Sequence, residues 1–199
     1  MPSFLQRILA LFLIIVLSPI LILLNIIIFL DDGFPTIFAQ NRIGKNGNIF
    51  KCYKLRSMLN NAEEILKNDA SMMKIYIENG YKIPEKLESR YTKCGSFLRK
   101  SSLDELPQLF NVLFGQMNLV GPRPIVPKEL DHYQGEKRKA FLSMKPGMTG
   151  LWQVSGRSDL DYPERVDFEL SYKSKRSFFF DLKILLKTFL VVINRSGAY

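Results

Sequence analysis

Residues 8–30 form an almost continuous apolar run, and few architectures accept one. As a single straight helix it would be roughly 34 Å long, enough to cross a bilayer. The run is too long for a cleaved signal peptide, and no small-residue cleavage site follows it. Ser18-Pro19 stands in its middle. Proline cannot donate to the carbonyl four residues back, here that of Ile15, so a kink is expected. Each half would then be only about 15–18 Å long. Two arrangements follow: a kinked spanning helix, or a helix–break–helix that enters one leaflet and returns to the same face. Sequence physics leans to the first, because spanning helices tolerate proline. Asp31-Asp32-Gly33 marks the exit either way.

The rest of the chain has the opposite character. Arg7 is the only charge in the first 30 residues, whereas the remaining 169 carry 27 Lys/Arg against 19 Asp/Glu, a net of +8. A basic body joined to an apolar segment points to anionic partners: lipid headgroups, nucleotides or nucleic acid. The length allows one ordinary domain with an appendage. Cys52 and Cys94 are too few for a disulfide framework and fit a reducing cytosol. A single histidine, His132, makes a histidine zinc site or a Ser-His triad hard to build, and is read as a surface side chain.

The stretch from Ser101 to Asn111 concentrates the chemistry. Ser102 and Glu105 have the Ser-x-x-Glu spacing of a helix capping box, the commoner meaning of such a pattern. The same geometry has a chemical reading. Asp104 would sit ionised in the positive field of a helix start, where free N–H groups also hold phosphate. A carboxylate can attack a phosphoryl group to give an acyl phosphate, and the adjacent Glu105 could hold a magnesium ion. From Leu103 the apolar positions 103, 106, 109, 110, 113 and 114 trace one helical face that leaves out Asp104, Glu105 and Gln108.

Around this centre lie several candidate anion contacts. Residues 36–40 and 49–58 read as the strands of a hairpin joined by a turn-rich segment, 41–48. On the second strand Cys52, Lys54 and Arg56 share a face by the period of two, which offers two cations to a phosphate or to solvent. Residues 62–74 read as a helix, and Asn79-Gly80 ends a second run. Arg99 stands just ahead of the central stretch. In Gly121-Pro122-Arg123-Pro124 two prolines fix the backbone around an arginine that can grip an anion in a bidentate fork. Residues 127–143 read as an exposed charged helix. The glycine-rich segment 146–157, with Trp152 and Arg157, matches neither a P-loop nor a dinucleotide fingerprint, so no ATP or NAD site follows. Residues 177–193 are apolar but carry Asp181, Lys183 and Lys187, which suits an interfacial or buried helix better than a spanning one.

Taken in order, these blocks resemble a known family. Ser18-Pro19, Gln40-x-Arg42-x-Gly44-x-x-Gly47-x-x-Phe50, Tyr53-Lys54-x-Arg56-Ser57-Met58, Ser102-Leu103-Asp104-Glu105-Leu106-Pro107-Gln108, Gly121-Pro122-Arg123-Pro124, Pro146-Gly147-x-Thr149-Gly150, Gly156-Arg157 and Asp181-Leu182-Lys183 follow one another over nearly the whole chain. The chain resembles the bacterial sugar transferases of the monotopic phosphoglycosyl transferase superfamily, which includes undecaprenyl-phosphate galactose phosphotransferases. Each block alone is weak, but the ordered set is specific. One departure is Glu169, where relatives usually carry aspartate.

The resemblance implies a mixed, helix-rich α/β fold on a monotopic membrane plan. Residues 1–32 would form a re-entrant anchor broken at Ser18-Pro19, and residues 33–199 a compact catalytic domain with interfacial helices at the cytoplasmic face of the bacterial inner membrane. It implies transfer of a sugar-1-phosphate from a UDP-sugar to undecaprenyl phosphate, with release of UMP. Asp104 would form a phosphosugar–aspartyl intermediate and Glu105 would bind Mg2+. Lys54, Arg99 and Arg123 fall where the family places phosphate-contacting cations, and Arg157 falls toward the nucleotide. Arg56 joins them from the strand-face reading. Expected partners are thus a UDP-sugar, undecaprenyl phosphate and membrane lipids, with self-association left open. Larger relatives have additional amino-terminal membrane helices that this chain is expected to lack. Two other classes fit the sequence less well. A tethered nucleic-acid binder would cluster its basic residues on one face with exposed aromatics, but here they are scattered among turns, so no nucleic-acid partner is expected. A non-catalytic assembly scaffold would not need the Asp104-Glu105 pair.

Overall fold

The computed structural model describes residues 1–79, 83–155 and 162–193. Helix α1 runs from Ser3 to Asp32 as one helical element and not as two, continuous across Ser18-Pro19. The reason is local. Pro19 cannot reach the Ile15 carbonyl, but the Ser18 hydroxyl donates to it at 2.7 Å and fills the gap. Most of the apolar side chains of α1 stay exposed, and among the described residues it is the one helix long and apolar enough to cross a membrane.

Both ends of α1 are tied to the domain that follows. Near its start the Gln6 side chain accepts the Leu119 N–H at 2.7 Å, and Arg7 Nε donates to the Leu113 carbonyl at 2.8 Å. At its end Asp32 pairs with Arg56, Nη2 to Oδ2 3.2 Å. In between, Leu24 and Ile28 pack against Leu55 and Leu98.

The hairpin forms as expected: β1 (Ile37–Ile43) pairs antiparallel with β2 (Ile49–Leu55), and Asn46 and Gly47 take the positive φ values of the turn. β1 is longer than the sequence indicates, and its register sets Gln40 opposite Cys52, Phe38 opposite Lys54 and Arg42 opposite Phe50. The polar excursion then holds two helices, α2 (Ala62–Asn68) and α3 (Ala70–Glu78), in place of a single one over 62–74. Asp69 ends the first and caps the second, accepting the Met72 N–H at 2.9 Å.

Helix α4 (Gly95–Lys100) leads into a single 3₁₀ turn over Leu103–Glu105, and α5 (Gln108–Leu113) follows Pro107. β3 (Asn118–Val120) pairs in parallel with β4 (Gly147–Thr149), so the segments preceding and following the Pro-Arg-Pro corner are held edge to edge. The approach is so close that a Cβ on Gly147 would fall 2.1 Å from the Gly121 nitrogen, and only glycine fits. Residues 127–143 are not one helix. A 3₁₀ segment, Pro127–His132, and α6 (Gly135–Leu142) meet at Tyr133, which is fully buried, and Gly135 turns at φ 52°. His132 is exposed, as expected, and stacks on Tyr162.

α7 (Glu164–Lys175) and α8 (Phe178–Ile193) close the core. On α8 the inward stripe of Asp181 and Ile184 is buried, with Tyr172 Oη donating to Asp181 at 2.6 Å, while Phe179, Leu186 and Phe189 face outward. The helix therefore serves both roles that its sequence offered, core on one side and exposed apolar surface on the other. The main core joins Cys52, Leu109, Val112, Leu119, Ile125, Tyr133, Phe141, Val166 and Tyr172 beneath both small sheets. Arg157 lies outside the described residues.

Candidate active site

Three elements converge on Asp104. The α4 helix ends at Lys100, and Ser102 then takes a left-handed conformation, φ 57° and ψ 16°, which turns the chain into the 3₁₀ turn that carries Asp104 and Glu105. An N-cap needs extended dihedrals, so Ser102 does not cap, and its side chain makes no cap hydrogen bond. The capping box expected of Ser102 and Glu105 is absent. Glu105 instead meets β2: Lys54 Nζ donates to its Oε1 at 2.7 Å and lies 3.7 Å from Asp104 Oδ2. The 3₁₀ turn is one turn long, so the positive field at Asp104 comes from side chains rather than from a helix end.

Asp104 is 5% exposed. Burial pushes its carboxyl above the usual aspartate range and Glu105 adds to this, while Lys54, Arg99 and Arg123 pull the other way. The sequence reading of a carboxylate kept acidic by a helix terminus is corrected accordingly: desolvation is the largest influence, and it favours the proton.

A small cavity is lined by Glu105 together with Arg42, Cys52, Lys54, Gln108 and Arg123, and Met148 and Gln153 also line it. Of the expected anion contacts, Lys54 and Arg123 line it. Arg99 is exposed, lies over the Tyr91 ring at 5.4 Å, and reaches Asp104 only through its charge. Arg56 is not brought to the cavity. The residue is 5% exposed, and both terminal nitrogens of its guanidinium are engaged, by Asp32, the Asp32 and Gly33 carbonyls, and Asn60. It follows the last residue of β2, beyond the span in which the strand's alternation controls its direction. Cys52 is buried and desolvation pushes its thiol up, which disfavours the reactive thiolate.

Arg42 is the site residue that sequence reasoning left unassigned. It donates to the Pro124 carbonyl at 3.0 Å and to Gln40 Oε1 at 2.6 Å, and its Nη1 lies 3.6 Å from Glu129 Oε2. Burial and the neighbouring Arg123 both weaken its hold on its proton, while Glu129 strengthens it. An arginine stays charged under such pressure. Two guanidinium groups facing one cavity therefore form a fork for an anion with more than one charge. The signal was present in the sequence: extending the period of two from Gln40 places Arg42 on the face shared with Cys52 and Lys54.

The donor set also bears on metal binding. Among the described residues no group of three His, Cys, Asp or Glu side chains converges. Two adjacent carboxylates fit magnesium, which takes one or two from a protein and the rest from phosphate and water. Glu105 is the better placed of the two, since its side chain is 26% exposed against 8% for Asp104 and it lines the cavity.

Known proteins share this sequence along most of its length. The family model for bacterial sugar transferases matches residues 1–195. The chain is 50% identical over 172 residues to an undecaprenyl-phosphate galactose phosphotransferase of Salmonella typhimurium, covering 84% of this chain and 35% of that protein. It is 40% identical over 184 residues to the exopolysaccharide production protein ExoY of Rhizobium meliloti, covering 92% of this chain and 80% of that one. A UDP-glucose:undecaprenyl-phosphate glucose-1-phosphate transferase of Klebsiella pneumoniae is 38% identical over 191 residues, or 92% and 38% of the two chains. The chain thus spans little more than a third of the length of the Salmonella and Klebsiella relatives.

Proposed function

The chain belongs to the bacterial sugar transferase family, and from that premise we propose that it transfers a sugar-1-phosphate from a UDP-sugar to undecaprenyl phosphate. One observation carries the reading: a buried carboxylate, Asp104, lies 3.7 Å from Lys54, which lines a cavity together with the adjacent Glu105, Arg42 and Arg123. In the first step the Asp104 carboxylate attacks the sugar-bearing phosphorus, the bond from that phosphorus to the bridging oxygen breaks, and UMP leaves with the bonding electrons. In the second, an oxygen of the lipid phosphate attacks the same phosphorus and displaces Asp104, giving the polyprenyl-diphosphate sugar. Arg42, Arg123 and Lys54 hold the phosphates and oppose the charge that builds up during transfer. Glu105 would hold Mg2+, which when bound supplies further neutralisation of the phosphate charge. Galactose is the first donor to test, because the Salmonella relative is named for it, and the glucose named for the Klebsiella relative is the second.

The anchor reading is monotopic. A spanning helix would leave its two ends on opposite sides of the bilayer, yet Gln6 and Arg7 at one end and Asp32 at the other are all paired with the same domain. This supports an anchor whose two ends stay on one face of the membrane, with Ser18-Pro19 as the place where the continuous helix would bend in the lipid. A nucleotide-sugar donor is a cytosolic metabolite, and this supports a domain on the cytoplasmic face of the inner membrane. Residues 1–32 are then the anchor and 33–199 the catalytic domain.

The deciding experiment measures UMP release from UDP-galactose, UDP-glucose and their N-acetylated forms, with magnesium and undecaprenyl phosphate, for wild type and Asp104→Asn. Lipid-dependent release that the substitution abolishes is expected. Turnover undiminished in Asp104→Asn would remove the nucleophile from the scheme, and no turnover with any donor would return the chain to the scaffold class.

A further inference from the structure

Linked to the cavity through Arg42 and Arg123 lies a second cluster whose other members the reaction scheme does not use. Its centre is Arg165 on α7, 6% exposed and absent from the cavity lining. Arg165 Nε donates to Glu169 Oε1 at 3.0 Å, and Nη1 lies 3.4 Å from Glu129 Oε1. Its guanidinium stacks 4.3 Å from the centre of the Trp152 ring and 4.8 Å from that of Tyr162. Glu129 is itself pinned: Oε2 accepts the Val126 N–H at 2.9 Å and faces Arg42, while Tyr162 Oη donates to Oε1 at 3.3 Å. Glu169 is 1% exposed and receives the Tyr133 hydroxyl at 3.2 Å. On the cavity side, the Arg123 guanidinium lies 5.5 Å from the same Trp152 ring. An unbroken series of contacts therefore runs Arg42–Glu129–Arg165–Trp152–Arg123, and its two ends are the arginines of the cavity.

We infer that Arg165 is a positioning residue for the diphosphate of the donor, holding Arg42 through Glu129 and Arg123 through Trp152. The inference rests on the proposed function, because it needs a donor diphosphate at the cavity. Two like charges facing one small space repel each other, and free arginine side chains would swing apart toward solvent. Arg165 prevents this with a single planar group: one edge holds Glu129, another holds Glu169, and a face lies on Trp152. Lysine cannot make that set of contacts, since its ammonium is a point charge with no face to stack. Stability alone does not account for the cluster. Buried ion pairs contribute little over apolar residues of the same volume, and Arg165 Nη2 is buried with no hydrogen-bond partner. What the cluster supplies is position.

Trp152 is the only tryptophan in the chain, so its emission reports on this series of contacts directly. The test titrates UDP-galactose and, separately, inorganic pyrophosphate into the full chain in detergent micelles, following Trp152 fluorescence, with KM and kcat from UMP release. The variants are Arg165→Lys and Arg165→Met. The control is Asp167→Asn, which removes an exposed pair with Lys137 on the same helix as Arg165. Both Arg165 variants should weaken both probes about tenfold, the scale of one charge-assisted hydrogen bond, and raise KM. Their kcat should stay within about twofold, as when only uniform binding is weakened. The control should bind as wild type does. If Arg165→Met fails to fold, Arg165→Lys, which keeps the charge, carries the test. Wild-type affinity in folded Arg165→Lys would overturn the inference, as would a fall in kcat at constant KM. Wild type that binds neither probe would instead sink the proposed function, and the inference with it.

Discussion

Lys54 Nζ lies 3.7 Å from Asp104 Oδ2, and it is the first of the charges that oppose the burial of this carboxylate. In the proposed reaction the ionised form is the nucleophile, and desolvation shifts its formation to higher pH. Activity should therefore fall as pH drops through a value above the ordinary aspartate pKa of about 3.9. Replacing Lys54 with Met removes the strongest opposing charge, so the acid limb of kcat/KM should move further up. An acid limb that stays in place in Lys54→Met would disconnect the two groups.

The same shift has a stability side. A carboxyl whose folded pKa is raised favours the folded state most when protonated. That contribution is complete below the unfolded pKa and is lost as pH rises through the folded one. Asparagine imitates the protonated acid, so Asp104→Asn should abolish turnover while melting at or above the wild-type temperature at neutral pH. A clear drop in melting temperature would contradict the assignment of Asp104 as a group held charged at a cost to the fold.

Arg42→Ala should raise the KM for the UDP-sugar about tenfold or more. The substitution removes a charge-assisted hydrogen bond to phosphate, worth about 1.5–3 kcal/mol. Steady-state kinetics with saturating lipid phosphate would show it, and an unchanged KM would remove Arg42 from the phosphate fork.

Arg56 leads to the opposite expectation. It fastens the end of α1 rather than substrate, and Asp32 is partly solvated. Arg56→Ala should thus destabilise the fold by about 2 kcal/mol, below the full cost of stripping a partner from a buried pair. The folded fraction should keep its KM for the donor. A raised KM at wild-type stability would restore the substrate role read from the strand face.

Ser102 holds a left-handed conformation at a cost of about 1–2 kcal/mol, next to the nucleophile. Ser102→Gly should match or exceed wild-type stability and keep activity. Ser102→Val, branched at Cβ, should be less stable by about 1–2 kcal/mol in chemical denaturation. Equal stability of the two would mean that the turn relaxes without consequence.

For the anchor, cysteines placed singly at Ser3 and Gly33 of a variant without Cys52 and Cys94 should react alike with an impermeant maleimide applied to intact spheroplasts. Both should stay unlabelled until the membrane is opened. Labelling of one and not the other would require a spanning helix.

The hairpin was legible because Asn46 and Gly47 sit where the turn needs positive φ. Asp104, Glu105, Lys54 and Arg123 were singled out because each lies in a short local pattern, and the fold brings them near one another. The misreadings have physical causes. Ser102 and Glu105 have capping spacing, but spacing carries no information on φ, and a left-handed Ser102 sends Glu105 to Lys54 instead. Asp69 splits a helix because its carboxylate competes for the backbone, which periodicity does not register. Arg42 was hidden in a segment read as a turn. Arg165 on α7 and Glu129 in the Pro127–His132 segment are 36 residues apart and meet only in the folded chain, and no pattern in the chain announces such a pair.

Gln6 finds its partner, the Leu119 N–H, 113 residues further along the chain. At roughly 5–20 residues per second of synthesis, about 6–23 s separate the emergence of the two. On the anchor reading proposed above, the apolar helix commits to lipid well before the strand that satisfies its amide has been made, and Arg7 waits nearly as long for Leu113. The order of assembly follows: the anchor settles first, and the domain folds back onto it, with the lipid surface holding the place of contacts that do not yet exist.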